Sequence, residues 1–537
     1  MKSIKINHRT LGQSISLILL ASSSVALAGT DHFSVGNLVV SRSVYNNLSS
    51  NVVMGQKLPP NCTTGCVTAI SDGTYPQIWN NSTVDGSFGI TSKIYLDQIT
   101  TNGSLVNSLQ VANSSQPSIT AKSNQLVTSF PSKSELALNL SADRNILTFM
   151  GYVAPINTLD VSNSNTPAVV DPTNPVIASY YRAVAAVDKT GKFTFTETNA
   201  YSGNNGRAAY LNNSNGANVI YMAGNAGNGG NPQPNNIILG AGAQIVTPSS
   251  LPQAKQVPLL PTPVGSFNIT QLGDKADKIG KDTNFRGLTV YNNVVYYTKG
   301  SGGNGINTVY FVDTTGTACP NGVGVPSPVA TLPTTSISYN AANLQTLGVA
   351  PYNMCILKGF PTTLAKTATA FPFGLWFANP TTLYVTDEGN GSTTYTAPTY
   401  TGAAAQTTAG LQKWVFDGTQ WNYLYTLQSG LDLGVPYQVA KYPTGTNPVT
   451  NLPWAPATSG LRNLTGHVNA DGTANIYAIT STVSGDGDQG ADPNKLVVIK
   501  DVLSATTVSA AESFWTLKTA AYGEVLRGVS FTPGTPE

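Results

Sequence analysis

One pattern recurs along this chain and limits what it can fold into. It is a unit of four short runs rich in Val, Ile, Thr, Tyr and Phe, separated by Gly, Asn, Asp and Pro. Short runs of this composition between turn residues predict β-strands, and helical periodicity is almost absent. The 51 glycines and 33 prolines supply frequent turns. The predicted fold class is therefore all-β.

The unit is clearest in residues 372–428, where the four runs read PFGLWFAN, TLYVTDEG, GLQKWVFDG and QWNYLYTLQ. Residues 460–520 repeat it as LRNLTGHV, NIYAITST, KLVVIKD and SFWTLKTA. Residues 285–314 contain its first three runs, FRGLTVYN, NVVYYTKG and NTVYFVD. Two looser copies fall within 134–199 and 207–272. Repeated four-stranded units of this kind predict a β-propeller.

The two ends of the chain complete each other. Residues 526–533 read as a first run with nothing after it, whereas 36–44 read as a second run, followed by 93–100 and 104–111. We therefore expect the N- and C-terminal strands to pair in one sheet, because circular β arrays remove their exposed edges in this way. Counting first runs predicts six blades, with seven as the alternative if part of 45–92 forms a further sheet.

A family resemblance follows from the clearest unit. The stretch PFGLWFANPTTLYVTDEGNG followed by LQKWVF resembles the NHL and YVTN type of propeller repeat. The likeness covers about one blade well, and the insertion 390–410 departs from the NHL pattern. The resemblance implies the fold but no single activity, because such propellers serve both as binding platforms and as enzymes.

The N-terminus predicts export. Residues 1–28 combine Lys2, Lys5 and Arg9 with the apolar stretch 11–20 and the small-residue end Ala26-Leu27-Ala28. This three-part pattern is typical of a cleaved secretory signal, which predicts a secreted protein, periplasmic or extracellular. We expect residues 29–537 to form one propeller domain, with long inserted loops at 45–92, 315–371 and 390–410. We expect no membrane span beyond the signal.

Four cysteines agree with an oxidising compartment, where an even number suggests disulfides. We expect Cys62 to pair with Cys66 in a tight loop and Cys319 with Cys355 across a longer one. Four cysteines allow three pairings, so this remains a preference.

Charged residues are scarce and nearly balanced. They make up 10% of the chain, against about 25% in an average protein. After removal of residues 1–28, 25 basic residues face 26 acidic ones. A chain without a basic field is not expected to bind nucleic acid.

The scarce arginines fall at a recurring place. Four stand at or near the start of a first strand, so we expect them to ring one mouth of the central channel: Arg207, Arg286, Arg462 and Arg527. Arginine offers a planar fork for carboxylates, which predicts an anion-binding clamp. The alternative is that each arginine pairs with an acid of the neighbouring blade and holds the blades together.

Four glycine-rich loops are expected at the same mouth, namely 224–231, 299–307, 387–392 and 484–494. Glycine there allows the backbone to approach a ligand closely. Carboxylates in two of these loops suit a Ca²⁺ site, because calcium accepts several oxygen ligands. The candidate ligands are Asp387, Glu388, Asp486, Asp488 and Asp492.

Catalytic signatures are weak, because only His32 and His467 remain after the signal. A Ser-His-Asp triad would need His467, for which we expect a buried structural role. Among the tryptophans, Trp79 and Trp454 are the better candidates for sugar binding, since Trp414 is expected in the core.

Two functional hypotheses follow. The first is a non-catalytic binding module that uses the arginine face to bind an extracellular glycan, a small anionic ligand, a cell-surface component or a protein. The alternative is a Ca²⁺-dependent propeller hydrolase of the lactonase or phytase-like esterase kind, in which a metal activates water and histidine is dispensable. Whether the protein is an enzyme is left open, with the non-catalytic hypothesis preferred.

Overall fold

A computed structural model describes most of the chain. The described residues are 32–46, 48, 51, 55–58, 63, 67–68, 90–111, 126–157, 181–198, 200–201, 204–225, 242–249, 265–266, 284–303, 305–335, 353–448, 450–485 and 490–537. Among them, helix is limited to a 3-10 assignment at Asn51, a 3-10 turn at Ala365–Thr367 and a single turn, α1, at Thr401–Ala404. No helix of these residues is long and apolar enough to cross a membrane.

All other regular structure is β-strand, as the sequence predicts. In chain order the first strands are β1 Leu38–Val44, β2 Lys57–Leu58, β3 Val67–Thr68, β4 Thr91–Ile99, β5 Leu105–Gln110, β6 Leu126–Ser129, β7 Asn139–Leu140, β8 Ile146–Val153, β9 Arg182–Asp188, β10 Phe193–Thr198, β11 Gly206–Asn212, β12 Val219–Gly224, β13 Ala243–Val246 and β14 Gly265–Ser266. The remaining strands are β15 Leu288–Tyr291, β16 Val294–Lys299, β17 Thr308–Val312, β18 Val323–Gly324, β19 Met354–Leu357, β20 Pro372–Asn379, β21 Thr382–Asp387, β22 Gly410–Phe416, β23 Trp421–Leu427, β24 Ala457–Val468, β25 Thr473–Val483, β26 Lys495–Val502, β27 Trp515–Thr519 and β28 Glu524–Phe531.

The two ends of the described chain lie in one sheet. Strand β1 pairs antiparallel with β28 on one side, with Leu38 opposite Phe531, and with β4 on the other, with Leu38 opposite Ile99. Strand β5 then pairs with β4. This order, β28-β1-β4-β5, is the one that the run pattern predicts, so the expected pairing of the terminal strands is confirmed.

A second four-stranded run, β7-β8-β9-β10, belongs to the same nine-stranded sheet. It matches the looser copy predicted within 134–199. The extra strand β6 joins the two runs, because it pairs with both β4 and β8.

Three separate four-stranded sheets follow the predicted order of runs: β11-β12-β13-β14, β20-β21-β22-β23 and β24-β25-β26-β27. In the sheet β15-β16-β17-β19-β18, the fourth strand, β19, lies inside the segment 315–371 that was expected to be loop. That expectation was wrong for this part. The short run MCIL forms a strand because it pairs with β17 and is buried in the core. Its local sequence does not reveal either contact.

The predicted loop 45–92 contains a small two-stranded sheet of β2 and β3. The predicted loop 390–410 contains the turn α1.

The first strands of the sheets contact each other in a closed sequence. Strand β7 contacts β11, β11 contacts β15, β15 contacts β20, β20 contacts β24, β24 contacts β28, and β28 contacts β7. The described residues therefore form a propeller-like ring of small antiparallel sheets. Apolar side chains on both faces of each sheet pack between neighbouring sheets, which is where the main cores lie.

Hydroxyl groups link neighbouring sheets at a repeated place. The Oγ1 of Thr298 in β16 accepts from the backbone N–H of Gly287 at 2.7 Å and donates to the carbonyl of Phe373 in β20 at 2.5 Å. Thr386 in β21 makes the same two bonds, to Gly374 and to the carbonyl of Arg462. The sequence pattern did not single out these residues, since isolated Ser and Thr are frequent in this chain.

One predicted disulfide is confirmed. Cys319 and Cys355 are bonded, with their Cα atoms 5.8 Å apart. The bond fastens the segment before β18 to β19, within the buried core. Cys62 and Cys66 lie outside the described residues.

Candidate functional site

The four arginines that were expected at one mouth of the channel all lie near the start or the middle of a first strand. Arg207 is in β11, Arg462 in β24 and Arg527 in β28, while Arg286 lies just before β15. None is more than 3% exposed. Their burial requires partners for the guanidinium groups, because an uncompensated buried charge is costly.

Two of the arginines converge on one carboxylate. Glu388 follows the end of β21, and its Oε2 lies 3.2 Å from Nε of Arg462. Its Oε1 lies 3.6 Å from Nη2 of Arg286. The Nζ of Lys133, which precedes β7, is 3.8 Å from the same oxygen. We call the set Lys133, Arg286, Glu388 and Arg462 the cationic mouth, since it joins three cations to one anion.

The aromatic ring of Phe373 contacts two of these cations. The guanidinium carbon of Arg286 lies 5.2 Å from the ring centroid, and that of Arg462 lies 6.0 Å from it. Both distances are within the range of a cation–π contact. The ring therefore makes a favourable contact with both guanidinium groups.

Arg286 has donor capacity left over. Its Nε donates to the hydroxyl of Ser301 at 3.0 Å, and its Nη2 also contacts that hydroxyl. Its Nη1 is buried and has no hydrogen-bond partner among the described residues. A buried guanidinium nitrogen without an acceptor is costly, so a ligand oxygen there would be stabilising.

A cavity of about 260 Å³ lies at the cationic mouth. Lys133, Glu388 and Arg462 line it, together with the hydroxyls of Ser301, Ser459 and Ser481. The glycine-rich loops 299–307 and 387–392 also contribute, as predicted. The lining is polar, with more positive than negative charge, which suits a small anion.

The glycines of these loops allow close contacts with strands of neighbouring sheets. A Cβ at Gly300 would lie 2.2 Å from the carbonyl oxygen of Pro372. Gly389 has a φ of +76°, and a Cβ there would lie 2.4 Å from the carbonyl oxygen of Ser459. Any other residue would force the neighbouring sheets apart at the mouth.

The charges of the cationic mouth shift each other's ionisation. Burial opposes ionisation of Glu388, but Lys133, Arg286 and Arg462 outweigh it and lower the pKa of that carboxyl to about 2. Glu388 favours the charged form of Lys133, but burial and the nearby arginines outweigh it and lower the pKa of the amine to about 8. Glu388 is therefore ionised at neutral pH. The amine of Lys133 loses its proton just above neutral pH.

The other two arginines are held by the protein itself. Arg207 donates through Nη1 to the carbonyl of Phe285 at 2.9 Å and also contacts Asn284. Arg527 donates through Nη2 to the carbonyl of Gly490 at 3.0 Å and also contacts the carbonyl of Phe130. These bonds connect neighbouring sheets, but the acceptors are backbone carbonyls and the amide of Asn284 rather than the acidic side chains of the structural alternative.

The described carboxylates of the predicted calcium site already have protein donors. Asp387 accepts from the backbone N–H groups of Phe371 at 2.7 Å and Gly389 at 2.8 Å, and burial raises its pKa to about 6. Asp492 accepts from the hydroxyls of Tyr442 and Ser484. Glu388 is surrounded by cations, which repel a metal ion.

Asp486 and Asp488 lie outside the described residues. Within those that the structure describes, one group of three residues brings possible metal ligands together, namely Asp313, Cys319 and Cys355. The two cysteines of that group are the ones bonded as a disulfide.

The structure differs from the sequence expectations for Trp454 and His467. Trp454 is 5% exposed, so the prediction of an exposed sugar-binding ring there was wrong. It packs with Tyr442 under a loop, a burial that its local sequence does not reveal. His467 is exposed rather than buried, because β24 extends beyond the core at its end. Trp79 lies outside the described residues.

Sequence reasoning missed Lys133 altogether. It precedes β7 in a serine-rich segment, and no motif marks it. The one available signal was its position, since residues near 134 were expected to begin a first strand, where four arginines stand in other units.

The chain is an all-β protein with a propeller-like ring of small sheets and a cluster of cations at one end of the ring. No protein-family model and no curated protein sequence matches it.

Solved structures give only distant likenesses. A mutant of Synechocystis apocarotenoid oxygenase (ACO) and an ACO/RPE65 chimera are each 8% identical and align with 83% of this chain, at TM-scores of 0.20 and 0.21. This chain spans 60% of the length of each. The N-terminal domain of Nup159 is 8% identical over 76% of this chain and 94% of its own length, at a TM-score of 0.24. Likeness at this level carries no argument about function.

Proposed function

We propose that the protein is an exported, six-bladed β-propeller that binds a small anion, or an acidic group of a larger glycan or protein, at the cationic mouth. The observation that carries the binding role is the charge imbalance there. Three cations share one carboxylate beside a cavity of about 260 Å³. A carboxylate or phosphate oxygen in that cavity would balance the charge and accept charge-assisted hydrogen bonds.

Six four-stranded runs around the ring support the blade number, if the two runs of the nine-stranded sheet are counted separately. The likeness of residues 372–428 to NHL and YVTN repeats supports a place near those propellers. Export rests on the pattern of residues 1–28, and the Cys319–Cys355 disulfide is of a kind found mainly in oxidising compartments.

Isothermal titration of the purified chain lacking residues 1–28 tests the binding role. The probes are citrate, inorganic phosphate and glucuronate, with glucose as a neutral comparison. We expect at least one anion to bind and glucose not to compete with it. Because charge-assisted hydrogen bonds are strong, Lys133→Gln should weaken that binding by about tenfold.

Lys500→Gln is the matched control, because Lys500 is an exposed lysine in a surface ion pair with Asp471. It should leave anion binding unchanged. The proposal fails if none of the three anions binds to folded protein, or if Lys133→Gln and Lys500→Gln have equal effects.

The Ca²⁺-dependent hydrolase remains the alternative from the sequence, and no contact of the described residues favours it. Elemental analysis of the purified protein separates the two functions. Tightly bound calcium, together with a rise in the melting temperature on adding Ca²⁺, would support the hydrolase.

A further inference from the structure

A second and larger cavity, of about 630 Å³, lies at the other end of the first strands. Arg462, in the middle of β24, lines the cationic mouth, whereas residues 464–468 of the same strand line this second cavity. Its aromatic lining residues are Tyr210, Tyr291, Trp376, Phe377, His467 and Phe531, and we call it the aromatic cavity. Its volume falls in the range of small-molecule sites.

Two of its rings are held rigidly. Tyr291 stacks on Phe377, with ring centroids 4.6 Å apart and planes 6° apart. Trp376 stacks on Tyr384, with centroids 5.8 Å apart. Gly466 leaves room for the indole, because a Cβ at that position would lie 2.6 Å from it.

Tyr291 and Trp376 nevertheless remain only half-buried. Each ring therefore keeps apolar surface accessible at the cavity while another ring supports it from one side. Rings positioned in this way lose little conformational freedom when a ligand binds.

The remaining lining combines apolar side chains such as Leu138 and Leu375 with amides and hydroxyls, and its charged residues are Arg144 and Glu537. The exposed turn residues Asn292 and Asn293 lie at the edge, and Asn379 and Thr465 are half-buried. Arg144 is already engaged, since its Nε donates to the carbonyl of Thr535 at 2.7 Å. A flat apolar ligand would leave the amides and hydroxyls without partners, at a cost in free energy.

We propose that the aromatic cavity binds a neutral saccharide, with one sugar ring lying against Tyr291 or Trp376. The C–H groups of a pyranose cover an aromatic ring, while its hydroxyls pair with amide and hydroxyl side chains. The site is separate from the cationic mouth and does not depend on anion binding there.

Tryptophan fluorescence and isothermal titration with cellotriose, chitotriose, maltotriose and xylotriose test this site. We expect one of these neutral trisaccharides to bind and to change the fluorescence of Trp376. Trp376→Ala and Tyr291→Ala should each weaken that binding by about tenfold, as expected for loss of an aromatic contact. Trp376→Phe should retain most of the affinity.

Trp515→Ala is the matched control, because Trp515 is 50% exposed on β27 and does not line the cavity. Melting temperatures show whether each variant is folded, and Tyr291→Ala provides the test if Trp376→Ala does not fold. The proposal is overturned if no trisaccharide binds, or if binding survives both cavity variants. Stronger binding of the flat dye 8-anilinonaphthalene-1-sulfonate at the same site would also overturn it.

Discussion

The carboxylate of Glu388 lies 3.2 Å from the Nε of Arg462, although the two residues belong to different sheets. Glu388 follows β21, and Arg462 lies within β24. Their contact joins two neighbouring sheets. Lys133 and Arg286, which precede the first strands of two other sheets, lie close to the same carboxylate. One carboxylate therefore holds together much of the ring and also sets the charge of the proposed anion site.

Glu388→Gln should destabilise the protein and make it dependent on anions. The substitution leaves three buried or half-buried cations without their counter-charge, and breaking a buried pair costs about 3–5 kcal/mol. We expect a lower free energy of unfolding in urea, partly restored by citrate or phosphate. Asp471→Asn, which breaks the exposed pair with Lys500, should change stability by less than about 1 kcal/mol and show no anion dependence.

The same carboxylate should give a defined dependence on pH. The folded pKa of Glu388 is about 2, below the ordinary value of 4.5. A depressed pKa contributes stability that is fully present above about pH 4.5 and is lost as the pH falls through about 2. Urea unfolding between pH 6 and pH 2 should show a loss of about 3 kcal/mol that Glu388→Gln lacks. An equal loss in the variant would contradict the assignment.

Lys413→Met should destabilise the protein more than any exposed charge deletion. The Nζ of Lys413 lies 2.9 Å from Oδ2 of Asp501, and both side chains are fully buried between β22 and β26. Removing the lysine leaves a buried carboxylate unpaired, at a cost of about 3–5 kcal/mol. In a double-mutant cycle, Lys413→Met with Asp501→Leu should recover part of that loss. The readout is urea unfolding.

Removal of the disulfide should loosen the fourth strand of its sheet. The bond joins Cys319 to Cys355, which are 36 positions apart in the sequence, and so closes a long loop. The chain-entropy relation gives a stabilisation of about 4 kcal/mol for such a loop. The double variant Cys319→Ser, Cys355→Ser should show this loss in urea unfolding and faster amide exchange at Met354–Leu357. Cys62→Ser with Cys66→Ser is the comparison, and an equal effect there would argue against a specific role for β19.

Thr298→Val should lower the stability of the protein by more than this small change in the side chain suggests. The substitution keeps the shape of the side chain but removes the hydroxyl that connects Gly287 to the carbonyl of Phe373. Two buried backbone groups then lose a partner, at about 1–3 kcal/mol. Thr298→Ser keeps the hydroxyl and should retain most of the stability. Thermal unfolding of the two variants measures the difference, and equal losses would show that the methyl group matters more than the bond.

Much of the architecture follows from local sequence. Alternating turns and β-rich runs predict the strands, and the incomplete units at the two ends predict the pairing of β1 with β28. Strand β19 was missed, because a four-residue run inside a long insertion has no local signal that separates it from loop. It forms a strand because it pairs with the edge of β17.

For the candidate site too, part could be predicted from the sequence and part could not. Sequence position alone predicted that Arg286 and Arg462 lie at the same end of the ring, because equivalent places in a repeated unit recur in space. It did not reveal Lys133, which is 255 positions from Glu388 in the chain, nor that Arg207 and Arg527 bind backbone carbonyls. Local sequence determines the strands and their order, since these depend on short-range side-chain pattern. Closure of the ring decides which charges meet, because only the packing of distant strands brings those residues within a few ångströms of each other.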